Sequence, residues 1–181
     1  MPRLFTALEI PAEVGAALAL ARGGLFGARW LDPENYHITL RFIGDIDARL
    51  ADEVGDALDE APRRGAIVVA FEGLAWFGGD KPRAIVAKVK PSPALAELAA
   101  DHERRLRRLG LAPETRKFTP HVTLARMRGV SPAAVADYLA SRGRLEAPGF
   151  VADRFVLMSA RDGVGGGPYV AEAEYGLAGG V

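Results

Sequence analysis

The tetrapeptide His37-Ile38-Thr39-Leu40 returns 84 residues later as His121-Val122-Thr123-Leu124. Side chains alternate along a strand, so in each copy the histidine and threonine share one face and the two aliphatic residues share the other. Any fold for this chain must therefore seat the same half-buried strand twice, polar pair on one side and apolar anchor on the other. The surrounding segments repeat too. A first unit reads as the strand "RLFTALEI", a helix over residues 12–22 stopped by Gly23-Gly24, the His37 strand, a helix from Asp47 to about Glu60, and a strand over 67–74. A second reads as the strand "RAIVAKVK", a helix over 93–109 ending at Gly110, the His121 strand, a helix capped by Ser131 with Pro132 in its first turn, and the strand "FVADRFVLMSA". Asp47 and Ser131 each lie ten residues after their histidine.

The segment "FGGDKP" is a turn between the units, and a last strand over 169–177 follows the loop "DGVGGGP". Alternating strands and helices are compatible with a parallel α/β sheet. The duplicated unit, the short turns and the hairpin-like "FEGLAWFGGDKPRAIV" point instead to α+β, with helices packed on mostly antiparallel sheets. At 181 residues the chain suits one domain spanning 1–181, with repeat units near 1–79 and 80–160 plus the final strand.

Composition narrows the function. Basic and acidic residues balance at 23 each, which argues against a protein that grips long nucleic acid through many phosphates but leaves a short end or a small anion open. There is no cysteine, which removes disulfides and cysteine-based metal sites. "MPRLFTALEI" lacks the layout of a secretion signal, and "VGAALALA" is far too short to span a bilayer, so a cytoplasmic protein with no membrane contact is expected.

Two arms that each carry an imidazole and a hydroxyl about 6.6 Å apart along a strand suit one small group held between them. A reacting phosphodiester is such a group. In-line displacement at phosphorus needs one group to take a proton from the attacking water and another, opposite, to give one to the departing oxygen. Imidazole serves in either role near neutrality. Threonine hydroxyls at Thr39 and Thr123 can each donate to one non-bridging oxygen. A single His-x-Thr strand is ordinary; two of the chain's three histidines in matched places are not explained by strand structure alone. The third, His102, falls on the Leu95, Leu98, Leu106, Leu109 stripe of its helix and reads as core-edge packing. A zinc site on His37 and His121 has no evident third ligand, so no metal and no cofactor are expected.

The segments "RLFTALEIP", "RWLDPENYHITLRFIGDI", "KPRAIVAKV", "ETRKFTPHVTLARM", "VLMS" and "PYVAEAEYGL" resemble the RNA 2′,3′-cyclic phosphodiesterases, also called 2′-5′ RNA ligases, of the two-histidine phosphoesterase superfamily. The resemblance runs over nearly the whole chain. It implies a bilobal, internally duplicated fold whose antiparallel sheets, with outer helices, flank a central cleft. It also implies metal-independent hydrolysis of an RNA-terminal 2′,3′-cyclic phosphate to a 2′-phosphate, with reversible 2′-5′ ligation in some members. Carried onto this chain, His37 and His121 are the acid–base pair, with His37 near the departing 3′-oxygen. Thr39 and Thr123 hold the phosphate, Arg126 contacts it, and Phe42 stacks on the terminal base, a buried core phenylalanine being the equal alternative for that ring. The expected partner is an RNA end or oligonucleotide bearing the cyclic phosphate, and the protein itself is expected to be a monomer. A non-catalytic module for RNA ends or nucleotides, and a phosphodiesterase of small cyclic-phosphate nucleotides, are the competing readings.

Three features remain. By strict alternation Arg126 belongs on the face of Val122, so its strand must bulge, twist or end before it. Arg41 shares the His37 face on the same rule and reads as a solvated strand arginine, with a place near the substrate as the alternative. "HERRLRRLG" sets Arg104, Arg105, Arg107 and Arg108 on one helix, where a solvated face is expected.

Overall fold

The computed structural model describes residues 3–160 and 168–177; the "GVGGG" part of the late loop, read from sequence as a connection beside the cleft, lies outside them. The elements run β1 (Arg3–Glu9), α1 (Ala12–Leu18), β2 (Ala28–Trp30), β3 (His37–Asp45), α2 (Ala48–Asp59), β4 (Ile67–Val69), β5 (Phe71–Phe77), β6 (Ala84–Val89), α3 (Pro93–Arg108), β7 (His121–Met127), α4 (Pro132–Arg142), β8 (Phe150–Ala152), β9 (Arg154–Ala160) and β10 (Tyr169–Gly176). The helix starts are those the caps dictate. Asp47 accepts from the Leu50 amide at 2.8 Å, Ser92 from Leu95 at 3.2 Å and Ser131 from Ala134 at 3.1 Å, satisfying amides that the first helical turn cannot. The first helix is shorter than its apolar run suggested: α1 stops at Leu18, and a 3-10 turn over Ala19–Ala21 carries the chain towards the glycines.

The fold is α+β, with every pairing among the described strands antiparallel. The main sheet follows the order β10-β9-β1-β3-β7-β6-β5, with β2 also on β7. Its middle is thin. β3 and β7 share only the pair Ile38↔Val122, so two four-strand halves meet at a seam one residue pair long. Two strands expected to be continuous are each broken: 67–74 divides at Ala70 into β4 and β5, and 150–160 divides at Asp153 into β8 and β9. The freed pieces β4 and β8 pair with each other, Val68 opposite Val151, as a separate two-stranded sheet.

The helices cover one face of the main sheet. Ile38 and Leu40 of β3 and Val122 and Leu124 of β7 point into this side and join one continuous core with Leu95, Leu98 and Leu106 of α3, Val54 and Leu58 of α2, and Val135 of α4. A small second cluster, Phe5, Ala7, Val156 and Met158, lies on the opposite face of the first half, the face that carries His37. No helix among the described residues is long and apolar enough to cross a membrane.

His102 sits deeper than the core edge. It is fully buried, its Nδ1 lies 2.8 Å from Thr6 Oγ1, and its Nε2 has no hydrogen-bond partner among the described residues. Burial pushes its pKa from 6.5 down to about 4, the Asp101 carboxylate opposing that shift and the Arg105 and Arg64 charges adding to it. The unfolded chain therefore binds the extra proton first. The stability His102 protects is complete above pH 6.5 and is lost as pH falls towards 4, by roughly 3 kcal/mol at the lower end. Urea unfolding at several pH values should show this loss. In Thr6→Val/His102→Leu, which removes both partners, stability should fall less steeply over the same window; parallel curves for variant and wild type would refute the assignment.

Candidate active site

Strict alternation would scatter the site, and a bulge in each histidine strand prevents it. Along β3, Thr39 stands opposite Ala7 and Arg41 opposite Thr6, leaving Leu40 without a partner. Along β7, Thr123 stands opposite Val86 and Ala125 opposite Ile85, leaving Leu124 without one. An extra residue in a strand reverses which face the following side chains take. Leu40 and Arg41 are thus both buried on the helix side, as are Leu124 and Ala125, and the residue after each pair returns to the histidine face. Those residues are Phe42, 42% exposed, and Arg126, also exposed. The bulge required to bring Arg126 to the face of His121 is present, and it recurs at the equivalent place in the first His-x-Thr strand.

At the seam the two tetrapeptides run antiparallel. His37 and Thr39 flank Ile38 on β3 as His121 and Thr123 flank Val122 on β7, so the two polar pairs lie on the same face of the sheet around that one residue pair. Both threonines are half-buried, and among the described residues neither hydroxyl has a hydrogen-bond partner.

Each imidazole is held by the backbone two residues earlier. His37 Nδ1 lies 2.9 Å from the Asn35 carbonyl and His121 Nδ1 lies 2.7 Å from the Thr119 carbonyl. A carbonyl only accepts, so both Nδ1 atoms carry the proton and donate, and each neutral ring keeps its lone pair on Nε2. Aromatic side chains fix the ring planes. Tyr169 meets His37 edge-on with centroids 4.8 Å apart and Phe5 lies 4.9 Å from it, while Phe77 meets His121 edge-on at 4.7 Å. Phe77 is the last residue before the tight turn into β6. Gly78 there has φ of 113° and would bring a Cβ within 2.3 Å of the Lys81 carbonyl, so only glycine serves.

This surrounding apolar surface disfavours the charged rings. Burial lowers His37 to about 4, the Asn35 carbonyl opposing and the His121 and Arg126 charges adding to the shift. Burial lowers His121 as well, the Thr119 carbonyl opposing and Arg126 adding. Arg126 thus acts on both rings. Two other cations share its face: Lys88 stands opposite His121, and Arg29 of β2 stands directly opposite Arg126. All three are exposed, and none has an ion-pair partner among the described residues. The arginines of α3 are elsewhere. Arg105 turns inward onto Asp101 at 2.8 Å, Arg104 pairs with Glu97 at 2.7 Å, and Arg107 and Arg108 are exposed on the helix side, away from the histidines.

The family model for LigT-like phosphoesterases matches residues 8–86 and 88–169. The chain belongs to this family. Among curated relatives, the RNA 2′,3′-cyclic phosphodiesterase of Aeropyrum pernix is 38% identical over 101 residues, 55% of this chain and 57% of that protein. The RNA 2′,3′-cyclic phosphodiesterase of Geobacillus stearothermophilus is 31% identical over 128 residues, 67% of this chain but 41% of that protein. The matches thus span about half the length of these relatives. The fold is that of TT0787 of Thermus thermophilus (TM-score 0.82, 23% identity, 98% of both chains) and of E. coli LigT complexed with 3′-AMP (TM-score 0.78, 22% identity, 99% of this chain and 100% of that one).

Arg41 is the residue that sequence reasoning misplaced in this LigT-like phosphoesterase. The bulge turns it away from His37 and buries it to 8% exposure. Its guanidinium donates to Glu103 of α3, to the Phe42 carbonyl and, at 2.6 Å, to the Ala112 carbonyl in the segment leading to Thr119 and β7. Glu103 in turn accepts from the Glu114 amide at 3.1 Å. One buried cation therefore ties the first histidine strand to the segment that precedes the second. Arg41→Met should cost about 3 kcal/mol in urea unfolding, because it strands Glu103 and two carbonyls. A change within about 0.5 kcal/mol, normal for a solvated arginine, would contradict this role.

Proposed function

We propose that this protein hydrolyses an RNA-terminal 2′,3′-cyclic phosphate to a 2′-phosphate without a metal ion. The observation that carries the reading is the pair of imidazoles whose Nδ1–H groups are tied to the carbonyls of Asn35 and Thr119, with both Nε2 atoms and the two threonine hydroxyls without a hydrogen-bond partner among the described residues. Membership of the LigT-like family and the names of the curated relatives support the same reaction.

In this reading the phosphodiester lies over the seam. Thr39 and Thr123 each donate to a non-bridging oxygen, and the Arg126 guanidinium offsets the charge that develops at phosphorus. His121 Nε2 takes a proton from water as its oxygen bonds to phosphorus. The bond from phosphorus to the 3′-oxygen breaks, and His37, entering the step as the imidazolium, delivers its Nε2 proton to that oxygen. The 2′-phosphate remains; a 5′-hydroxyl attacking phosphorus in place of water, with the same proton transfers and the same departure of the 3′-oxygen, gives a 2′-5′ linkage. Phe42 stacks on the terminal base. Binding alone does not need two proton-transfer residues, since arginine or lysine would be better anion ligands.

His37→Ala and His121→Ala should each lower kcat on a nucleoside 2′,3′-cyclic phosphate about 100-fold or more, and wild-type turnover should survive EDTA. Near-wild-type rates in both variants, or activity lost in EDTA and restored by a divalent ion, would sink the mechanism. A substrate with sulfur in place of the 3′-oxygen needs little help leaving, so it should restore much of the rate in His37→Ala and not in His121→Ala. Rescue of His121→Ala instead would exchange the two roles.

The pH dependence follows from burial. Both rings titrate below 6.5, so the singly protonated pair is populated at acid pH in the free protein. A plot of kcat/KM against pH should peak below 6.5, while kcat should peak at higher pH because the bound phosphodiester anion holds the imidazolium. A kcat/KM optimum on the alkaline side of neutrality would contradict the desolvated pair.

A further inference from the structure

β7 loses β3 as a neighbour immediately beyond the seam, and β2 takes the same edge. This sets Arg29 directly opposite Arg126 on the histidine face. Like charges opposed across strands cost stability, and here no carboxylate among the described residues relieves them. Arg126 is close enough to lower the pKa of both histidines; Arg29 lies one strand further out, on β2. Three residues before Arg29, Phe26 is fully exposed. It sits on a turn of left-handed glycines, Gly23, Gly24 and Gly27, whose base is anchored: Arg142 Nη1 donates to the Arg22 carbonyl at 2.9 Å and the Tyr138 hydroxyl to the Ala21 carbonyl at 2.7 Å. A large aromatic wholly in solvent on an anchored turn, three residues from an arginine with no ion-pair partner among the described residues, supplies the pairing that single-stranded nucleic acid uses, a ring for a base and a cation for a phosphate.

We infer that Phe26 and Arg29 form a ledge for the RNA strand on the 5′ side of the reacting nucleotide, Arg29 holding the next phosphate and Phe26 stacking on a neighbouring base. The inference rests on the proposed RNA-end reading and names its substrate class: an oligonucleotide in preference to a mononucleotide. The neutral net charge fits a contact of one or two phosphates rather than a long track.

The test compares a nucleoside 2′,3′-cyclic phosphate with short oligonucleotides of two to six residues ending in the same group. Wild type should favour the oligonucleotides in kcat/KM. Arg29→Ala and Phe26→Ala should each reduce that preference about five-fold or more, through KM rather than kcat, and Phe26→Tyr should retain it. The salt dependence of oligonucleotide KM should weaken in Arg29→Ala by about one phosphate contact. An unchanged preference, or an equal loss on both substrates, would overturn the ledge. Binding of a fluorescent oligonucleotide ending in a 2′-phosphate, read by anisotropy, keeps the two readings apart. If wild type turns over neither substrate, the proposed chemistry fails, yet weaker binding by Arg29→Ala and Phe26→Ala still supports the ledge. Unchanged binding, or a Phe26-dependent self-association in sedimentation with RNA affinity intact, overturns it.

Discussion

The candidate site depends on one extra residue in each of two strands. Without the bulge at Leu124, Arg126 would point among the helices and its charge would be buried without a partner. Without the one at Leu40, Phe42 would leave the histidine face and Arg41 would take its place there. The bulges also let one strand serve two masters. Before the bulge, alternate residues anchor in the core and present His and Thr; after it, the phase is reset so that a third functional residue joins the same face. A regular strand would need to place that third residue two positions beyond the threonine, at Arg41 and Ala125, and the core would then lose its consecutive buried positions there.

Holding imidazoles on an apolar floor sets the terms for any proton transfer. The Nδ1–H bonds to Asn35 and Thr119 cost little and fix the orientation of the rings, but Phe5, Tyr169 and Phe77 remove water that would stabilise a charge. The imidazolium is therefore disfavoured until an anion arrives, and a proton held against a depressed pKa is readily given up. Arg126 strengthens both tendencies, since it repels charge on either ring and attracts the anion that reverses the repulsion. The histidines differ in degree. His37 lies between two aromatic rings and next to the small apolar cluster of β1 and β9, whereas His121 meets one ring near an exposed lysine.

The paired strands, the helix caps, the hairpin between β5 and β6 and the α+β class are legible in the sequence, because each depends on local pattern: alternation, Ser or Asp before an apolar run, glycine in a turn. The conflict at Arg126 is legible too, since parity is a counting rule. The same bulge after Leu40 is not, because Phe42 and Arg41 are both acceptable on either face of a strand, and alternation alone assigns Arg41 to the wrong partners. Asn35 and Thr119 are invisible as ring supports because they act through backbone carbonyls that any residue supplies. Phe5 and Phe77 look like ordinary strand aromatics; only pairing across strands brings them to the histidines. The breaks at Ala70 and Asp153 arise from the pairing of β4 with β8, a contact between distant segments that no local window contains.

That pairing belongs to a wider exchange between the two halves of the chain. β5, from the first half of the sequence, pairs with β6 in the sheet half that contains β7; β9, from the second half, pairs with β1 in the half that contains β3. Each half of the sheet is thus completed by a strand from the other half of the chain. The seam itself needs little hydrogen bonding as a result, and one residue pair suffices where β3 and β7 part. A wider ladder there would flatten the two halves into one continuous sheet and bring opposed side chains to ordinary cross-strand spacing, leaving no room for a group between the imidazoles. Strand exchange at the margins and the buried Arg41 link behind the sheet supply the connection that the open middle gives up.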